Sequence, residues 1–219
     1  MQRTRIKICG IKVPDHALAA ADAGADYIGL VFVEKSPRYV TIEDAKAVVQ
    51  ALPPEVEPVG LFVDTPAADI HRIASTVGFK TIQLHGHEPI SILDELNGLQ
   101  VIRAKAFDLD YIEDLREWDK HPAVCGLLLD TPPTNTTGLT GGSGEAFNWN
   151  QLMKMPPPLF EKPIILAGGL TPDNVAYAMG SYYPIDAVDV SSGVESSRGV
   201  KDVGLIKAFC EAVHEADSE

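Results

Sequence analysis

The chain has 219 residues, 45% of them hydrophobic, enough to bury a full core in one large domain or two small ones. A formal net charge of −13 argues against a nucleic-acid partner, which needs a basic face, and means that any anionic ligand must be held by local donors. No apolar run approaches the ~18 residues of a membrane span, no charged-then-apolar leader opens the sequence, and the three cysteines, Cys9, Cys125 and Cys210, are spaced for neither a disulfide framework nor a zinc knuckle, so a reducing, cytoplasmic setting is expected.

The first apolar run is Ile6-Lys7-Ile8-Cys9. Pro14 suits a helix start, with Ala17, Leu18 and Ala21 on one face and Gly24 as the C-terminal cap. "DYIGLVF" reads as a strand ending near Phe32, and Thr41 caps a helix through Ala51. "VGLFV" is the third strand. Thr65-Pro66 opens a helix with Ile70, Ile73, Ala74 and Val77 at i, i+3, i+4, i+7 spacing, closed by Gly78. "TIQLH" ends at His85, and a helix is expected from Glu88 to Leu96. "LQVIRAKAF" precedes a helix from Leu109 to Trp118, and "VCGLLLD" ends at Asp130.

The next connection, Thr131 to Phe147, is longer than ordinary loops, as lids and binding loops are. Pro156-Pro157-Pro158 then makes a short rigid link. "PIILAGG" precedes a helix capped by Thr171 with Pro172 at its first position. "DAVDVSSG" precedes a last helix on which Val203, Ile206, Cys210 and Val213 share a face.

Eight strand-like runs each followed by a helix-like segment give the pattern of a (β/α)8 TIM barrel, with residues 1–219 as one domain. An open doubly wound sheet is the rival, weakened because no G-x-G-x-x-G follows the first strand. In a barrel the C-terminal strand ends gather at one mouth. Those ends carry Cys9, Asp130, Gly168-Gly169 and Ser191-Ser192-Gly193, with Arg38 in the loop after the second strand. Glycines let backbone N–H groups approach an anion and serines add donors, and the loops after strands seven and eight are the recurrent phosphate position of this fold.

Each of these residues also has a plainer reading. Cys9 can be a core thiol, Asp130 can cap the turn of "DTPP", Arg38 can be a solvated surface side chain, and the glycines can be turn residues. His85 ends strand four and is as compatible with a structural hydrogen bond as with the site. Asp189 reaches the mouth by strand alternation. Asp64 belongs to the turn after the third strand. Lys7 shares the Cys9 side of its strand and is a candidate to lower the thiol's pKa. No histidine spacing such as H-E-x-x-H is present, so no metal is expected.

The stretches "KICGI", "VFVEKSPRYV", "LFVD", "QLHG", "LLLDT", "GGSGEAFNW", "LAGGLTPDNV" and "DVSSGVES" run in order from residue 7 to residue 196. Together they resemble the phosphoribosylanthranilate isomerase family. The resemblance implies a cofactor-free Amadori rearrangement on a small phosphoribosyl substrate in tryptophan biosynthesis, with Asp130 as the acid, Cys9 as the base and Arg38 binding the anthranilate carboxylate. Such an acid must hold its proton at neutral pH, which calls for burial or nearby negative charge. The free thiol, with a pKa of ~8.5, calls for a neighbour that favours thiolate. The chain departs from the family's GGTG and FDW pattern at Ser143 and Asn148, and Glu145 stands where a basic residue is common. A Schiff-base aldolase using Lys105, a barrel that only binds a sugar phosphate, and the related histidine-pathway reaction are the alternatives. A monomer is the expectation.

Overall fold

A computed structural model of the chain describes residues 3–106, 112–130, 160–180 and 185–218. The Thr131–Phe147 connection, Glu145, Asn148 and the three consecutive prolines lie outside them. Eight parallel strands close into a barrel in chain order. They are β1 (Arg5–Cys9), β2 (Tyr27–Val31), β3 (Glu57–Phe62), β4 (Thr81–Leu84), β5 (Gln100–Ala106), β6 (Val124–Asp130), β7 (Ile164–Leu166) and β8 (Ala187–Val190). The barrel closes where β1 meets β8, in a register that sets Lys7 opposite Asp189 and Ile8 opposite Val190.

Among the described residues, seven helices lie among these strands: α1 (Pro14–Asp22), α2 (Ile42–Ala51), α3 (Ala67–Val77), α4 (Ile92–Glu95), α5 (Ile112–Asp119), α6 (Val175–Met179) and α7 (Val203–Ala216). Strand alternation sorts the side chains into two cores. Ile6, Ile8, Ile28, Leu30, Leu127, Leu129, Val188 and Val190 join the helices in the outer core. Val59, Ile102, Ala104, Leu128, Ile165, Ala167 and Ala187 fill the barrel interior. Above that filling, Cys9, Val31 and Leu61 form a separate small cluster.

The local signals act as their chemistry dictates. Pro14 occupies the first turn of α1, where its missing N–H costs no hydrogen bond. Thr41 caps α2, its side chain accepting from the Asp44 amide at 3.1 Å. Gly78 ends α3 at φ 97°, a left-handed conformation that glycine adopts without strain. At α1 the C-cap is Ala23, and Gly24 takes the following left-handed position at φ 96°.

Three expectations need correction. The helix expected from Glu88 shrinks to the single turn of α4. Glu88 precedes Pro89, which disfavours helical geometry, and its carboxylate is engaged elsewhere. It accepts from the amides of Asp64 and Gly86 and pairs with Arg103, a fully buried guanidinium lying 4.5 Å from the Trp118 ring centre. The helix after β7 is α6, capped at Asn174 and not at Thr171, because the Asn174 side chain bridges the Thr171 amide and the Gly169 carbonyl in a preceding turn. Val203 is 36% exposed, so only Ile206, Cys210 and Val213 of the expected stripe are buried. A feature without a sequence forecast follows β8: a 3-10 turn at Ser192–Val194, then an antiparallel hairpin of β9 (Glu195–Ser197) and β10 (Val200–Lys201).

Phe62, fully buried, stacks on Phe32 at 5.3 Å between ring centres, and Phe79 leans on both. Phe62→Ala should therefore cost ~3–5 kcal/mol, read as a lowered urea midpoint at unchanged slope. A loss below ~1 kcal/mol would mean that the site collapses around the void.

Candidate functional site

A cavity at the C-terminal end of the barrel is lined by Cys9, Arg38, His85 and Asp130, by Gly168 and Gly169, and by Asp189, Ser191 and Ser192. Its floor is charged. Lys7 and Asp189, facing each other across the β1–β8 seam, bond at 2.9 Å with side-chain exposures of 1% and 9%. Burial is the largest influence on Lys7 and works against its charge. Asp189 and Cys9 together outweigh it, and the ammonium's pKa is raised. The reverse holds for Cys9. Burial pushes the thiol's pKa up, Lys7 and Lys201 pull it down, Asp189 pushes it up again, and the net shift is upward. Lys7 thus acts on the thiol in the expected direction but does not overcome burial.

Asp130, at the end of β6, is 7% exposed. Its Oδ2 lies 3.3 Å from His85 Nε2, while His85 Nδ1 is 3.4 Å from Gln83 Nε2. A donor from Gln83 into Nδ1 selects the imidazole tautomer that carries its proton on Nε2, facing Asp130. Gln83 is 1% exposed, and its Oε1 has no hydrogen-bond partner among the described residues.

Arg38 is held from the side. Its Nε and Nη2 donate to Glu195 Oε1 and Oε2 at 2.6 and 3.0 Å. Glu195 also accepts from the Gly199 amide at 2.9 Å and from Lys201 Nζ at 3.0 Å. Burial alone would raise the pKa of this carboxyl, but these donors hold it down at about 2. Lys201 continues the network to Ser191, donating to its carbonyl at 2.7 Å, and Ser191 Oγ donates to the Cys9 carbonyl at 3.1 Å. The hairpin after β8 is thereby tied to both Arg38 and the backbone of Cys9.

The two glycine-bearing loops meet beside this network. Gly168 and Gly169 have φ of 86° and 64°, which turns the chain sharply after β7. Gly193 does not line the cavity. A Cβ there would sit 1.9 Å from the Leu170 carbonyl oxygen, so its bare backbone is what lets the β7 and β8 loops close on each other.

Among the remaining candidates, Lys105 follows the outward alternation of β5 and lies 3.8 Å from Asp114 of α5, away from the cavity lining. That removes the amine a Schiff-base aldolase would use. Asp64 lines the cavity but serves the turn, at φ 48° with its carboxylate accepting from the His87 amide. Among the described residues, no group of three or more His, Cys, Asp or Glu side chains is arranged to hold a metal, and no helix is long and apolar enough to cross a membrane. Sequence reading did not single out Gln83, Glu195, Lys201 or Arg198, which also lines the cavity. Alternation along β4 was the available signal for Gln83; the other three sit on a hairpin too short to show a period.

A closed eight-strand barrel with a thiol, a carboxyl and a guanidinium at one mouth defines a (β/α)8-barrel enzyme. The model of one family, N-(5'phosphoribosyl)anthranilate (PRA) isomerase, matches residues 6–212. The N-(5'-phosphoribosyl)anthranilate isomerase of Pseudomonas fluorescens (strain Pf0-1) is 44% identical over 215 residues, covering 97% of this chain and 100% of that protein. The crystal structure of phosphoribosyl anthranilate isomerase from Thermotoga maritima superposes with a TM-score of 0.86 at 37% identity, covering 97% of this chain and 99% of that one. A phosphoribosyl anthranilate isomerase crystallised with reduced 1-(o-carboxyphenylamino)-1-deoxyribulose 5-phosphate superposes with a TM-score of 0.82 at 35% identity, covering 97% and 99% of the two chains. The chain belongs to the N-(5'-phosphoribosyl)anthranilate isomerase family.

The raised thiol pKa has a direct readout. Alkylation of Cys9 by iodoacetamide should be slow at neutral pH and accelerate only at a pH above that needed for an ordinary free thiol, because burial raises the thiol's pKa. Lys7→Met removes the cation that lowers the thiol's pKa, so the alkylation profile should move to higher pH. An unmoved or down-shifted profile would show that Lys7 has no hold on the thiol.

Proposed function

We propose that the protein catalyses the Amadori rearrangement of N-(5'-phosphoribosyl)anthranilate to 1-(2-carboxyphenylamino)-1-deoxyribulose 5-phosphate, as a cytoplasmic enzyme of tryptophan biosynthesis. The observation that carries this reading is the convergence of Cys9 and Asp130, from the first and sixth strands, on one cavity with the glycine-bearing loops after β7 and β8. Membership of the family and the ligand of the solved relative support it. All three cysteines are thiols, which fits a reducing compartment.

The chemistry assigns each group a task. Asp130 gives its proton to the furanose ring oxygen; the bond from that oxygen to C1 breaks, and the anilino nitrogen's lone pair forms an iminium. The cation acidifies the proton on C2. Cys9 removes it as thiolate, the electron pair moves to make the enolamine, and protonation at C1 with loss of the C2 hydroxyl proton gives the ketone. The raised pKa of Cys9 is a difficulty only in the empty site. Positive charge develops on the substrate when the base is needed, and an adjacent cation in a water-poor cavity favours thiolate. Lys7, kept charged by Asp189, adds to the same effect. His85 orients the Asp130 carboxyl, and Asp189 acts through Lys7. The phosphate is taken by the loop amides at Gly168, Gly169, Ser191 and Ser192, and by the hydroxyls of Ser191 and Ser192. Arg38 takes the anthranilate carboxylate, a planar match for a guanidinium.

Following the loss of substrate fluorescence tests the assignment. Cys9→Ala and Asp130→Asn should each lower kcat by ~10²–10⁴-fold, with KM changed only a few-fold, because each removes an acid–base contribution to the transition state. Undiminished consumption of the anthranilate adduct by both variants would remove the mechanism.

A further inference from the structure

We propose that Glu195 is a positioning residue that makes the site selective for a carboxylated aryl amine, by fixing the guanidinium of Arg38 from behind. The inference rests on the reading of Arg38 as the carboxylate-binding group. It concerns what holds that group in the loop after β2, apart from the acid and the base.

A guanidinium recognises a carboxylate through paired parallel hydrogen bonds, so its plane must be set in advance for the recognition to be selective. An arginine on a loop has several rotatable bonds to lose. Here both ends of that freedom are removed. The aliphatic stem lies over Gly10, where a Cβ would come within 2.8 Å of Arg38 Cδ. The Nε–Nη2 edge is bridged by both oxygens of Glu195, which stops rotation about the last bonds. Among the described residues, the edge bearing Nη1 is left to meet a ligand.

Glu195 itself is fixed. Four hydrogen bonds reach its carboxylate: two from Arg38, one from the Gly199 amide and one from Lys201. Its side chain is 4% exposed and that of Lys201 is 1% exposed. A bidentate pair at such low exposure is an expensive way to stabilise a fold, since apolar replacements of buried ion pairs are often neutral or better. It is well suited to holding a recognition group at a defined angle. The charge count fits as well. Two cations, Arg38 and Lys201, share one carboxylate, so the cluster carries one surplus positive charge at the mouth of a chain whose net charge is −13. Glu195 neutralises one cation without cancelling the site's attraction for an anion.

The test compares two substrates, the adducts of ribose 5-phosphate with anthranilate and with aniline, which differ only in the carboxylate. Glu195→Gln should raise KM for the anthranilate adduct by about ten- to a hundredfold, the scale of hydrogen bonds to charged groups. It should lower kcat less and leave kcat/KM for the aniline adduct unchanged within error. Glu195→Asp, with the charge kept on a shorter arm, should fall between wild type and Glu195→Gln on the same ratio. Because the ratio of the two substrates is read, any common loss from reduced folding divides out. Equal losses on both substrates, or no loss on either, would overturn the proposal. Arg38→Lys is measured in parallel. If it abolishes discrimination while Glu195→Gln does not, this inference alone fails. If it leaves discrimination intact, the reading of Arg38 and this inference fail together.

Discussion

The ion pair between Lys7 and Asp189 is the constraint on which the mouth of the barrel depends. The two residues face each other across the strand contact that joins the first strand of the barrel to the eighth. The interior beneath them is filled by valine, isoleucine, leucine and alanine side chains. A lone ammonium or carboxylate there would carry a desolvation penalty of several kcal/mol, so each charge requires the other. A one-residue slip of β1 against β8 would break the pair and turn Cys9 away from the cavity. Register, electrostatics and the aim of the thiol are therefore one condition.

The same pair governs what Cys9 can do. The thiol sits beside a cation and an anion that are themselves bonded, so their effects on it largely oppose each other, and burial decides the resting state. A low-dielectric pocket that keeps the thiol neutral at rest still favours the thiolate once a positive charge forms within reach. The second charged cluster, Arg38, Glu195 and Lys201, works otherwise. There the donors outnumber the carboxylate oxygens, and the carboxylate stays ionised at any physiological pH. One cluster adjusts a proton; the other sets an angle.

The barrel was legible because its signals are local and repeated. Thr41 capping α2, Pro14 opening α1 and Gly78 closing α3 are set by their own chemistry, and alternating runs fix the strands. The strand-end residues were legible because a barrel brings its C-terminal ends together wherever they lie in sequence. What could not be read were partnerships. Alternation put Lys7 on the Cys9 side, but its partner Asp189 follows from the seam register, 182 residues away. Glu88 looked like a helix residue until its carboxylate was seen to tie Asp64, Gly86 and Arg103 together. The hairpin carrying Glu195 and Lys201 has strands of three and two residues, too short for any hydrophobic period.

The seam also fixes when the site can exist. Three of its charged groups, Asp189, Glu195 and Lys201, come from β8 and the hairpin behind it, and their partners Lys7 and Arg38 come from the first two units. As the polypeptide leaves the ribosome, the early strands must wait with an unmatched lysine and an unguided arginine. Neither finds its counterion until synthesis has passed Asp189 and Glu195. Competence arrives in one late step, so truncated products carry the thiol but not the environment that would make it useful.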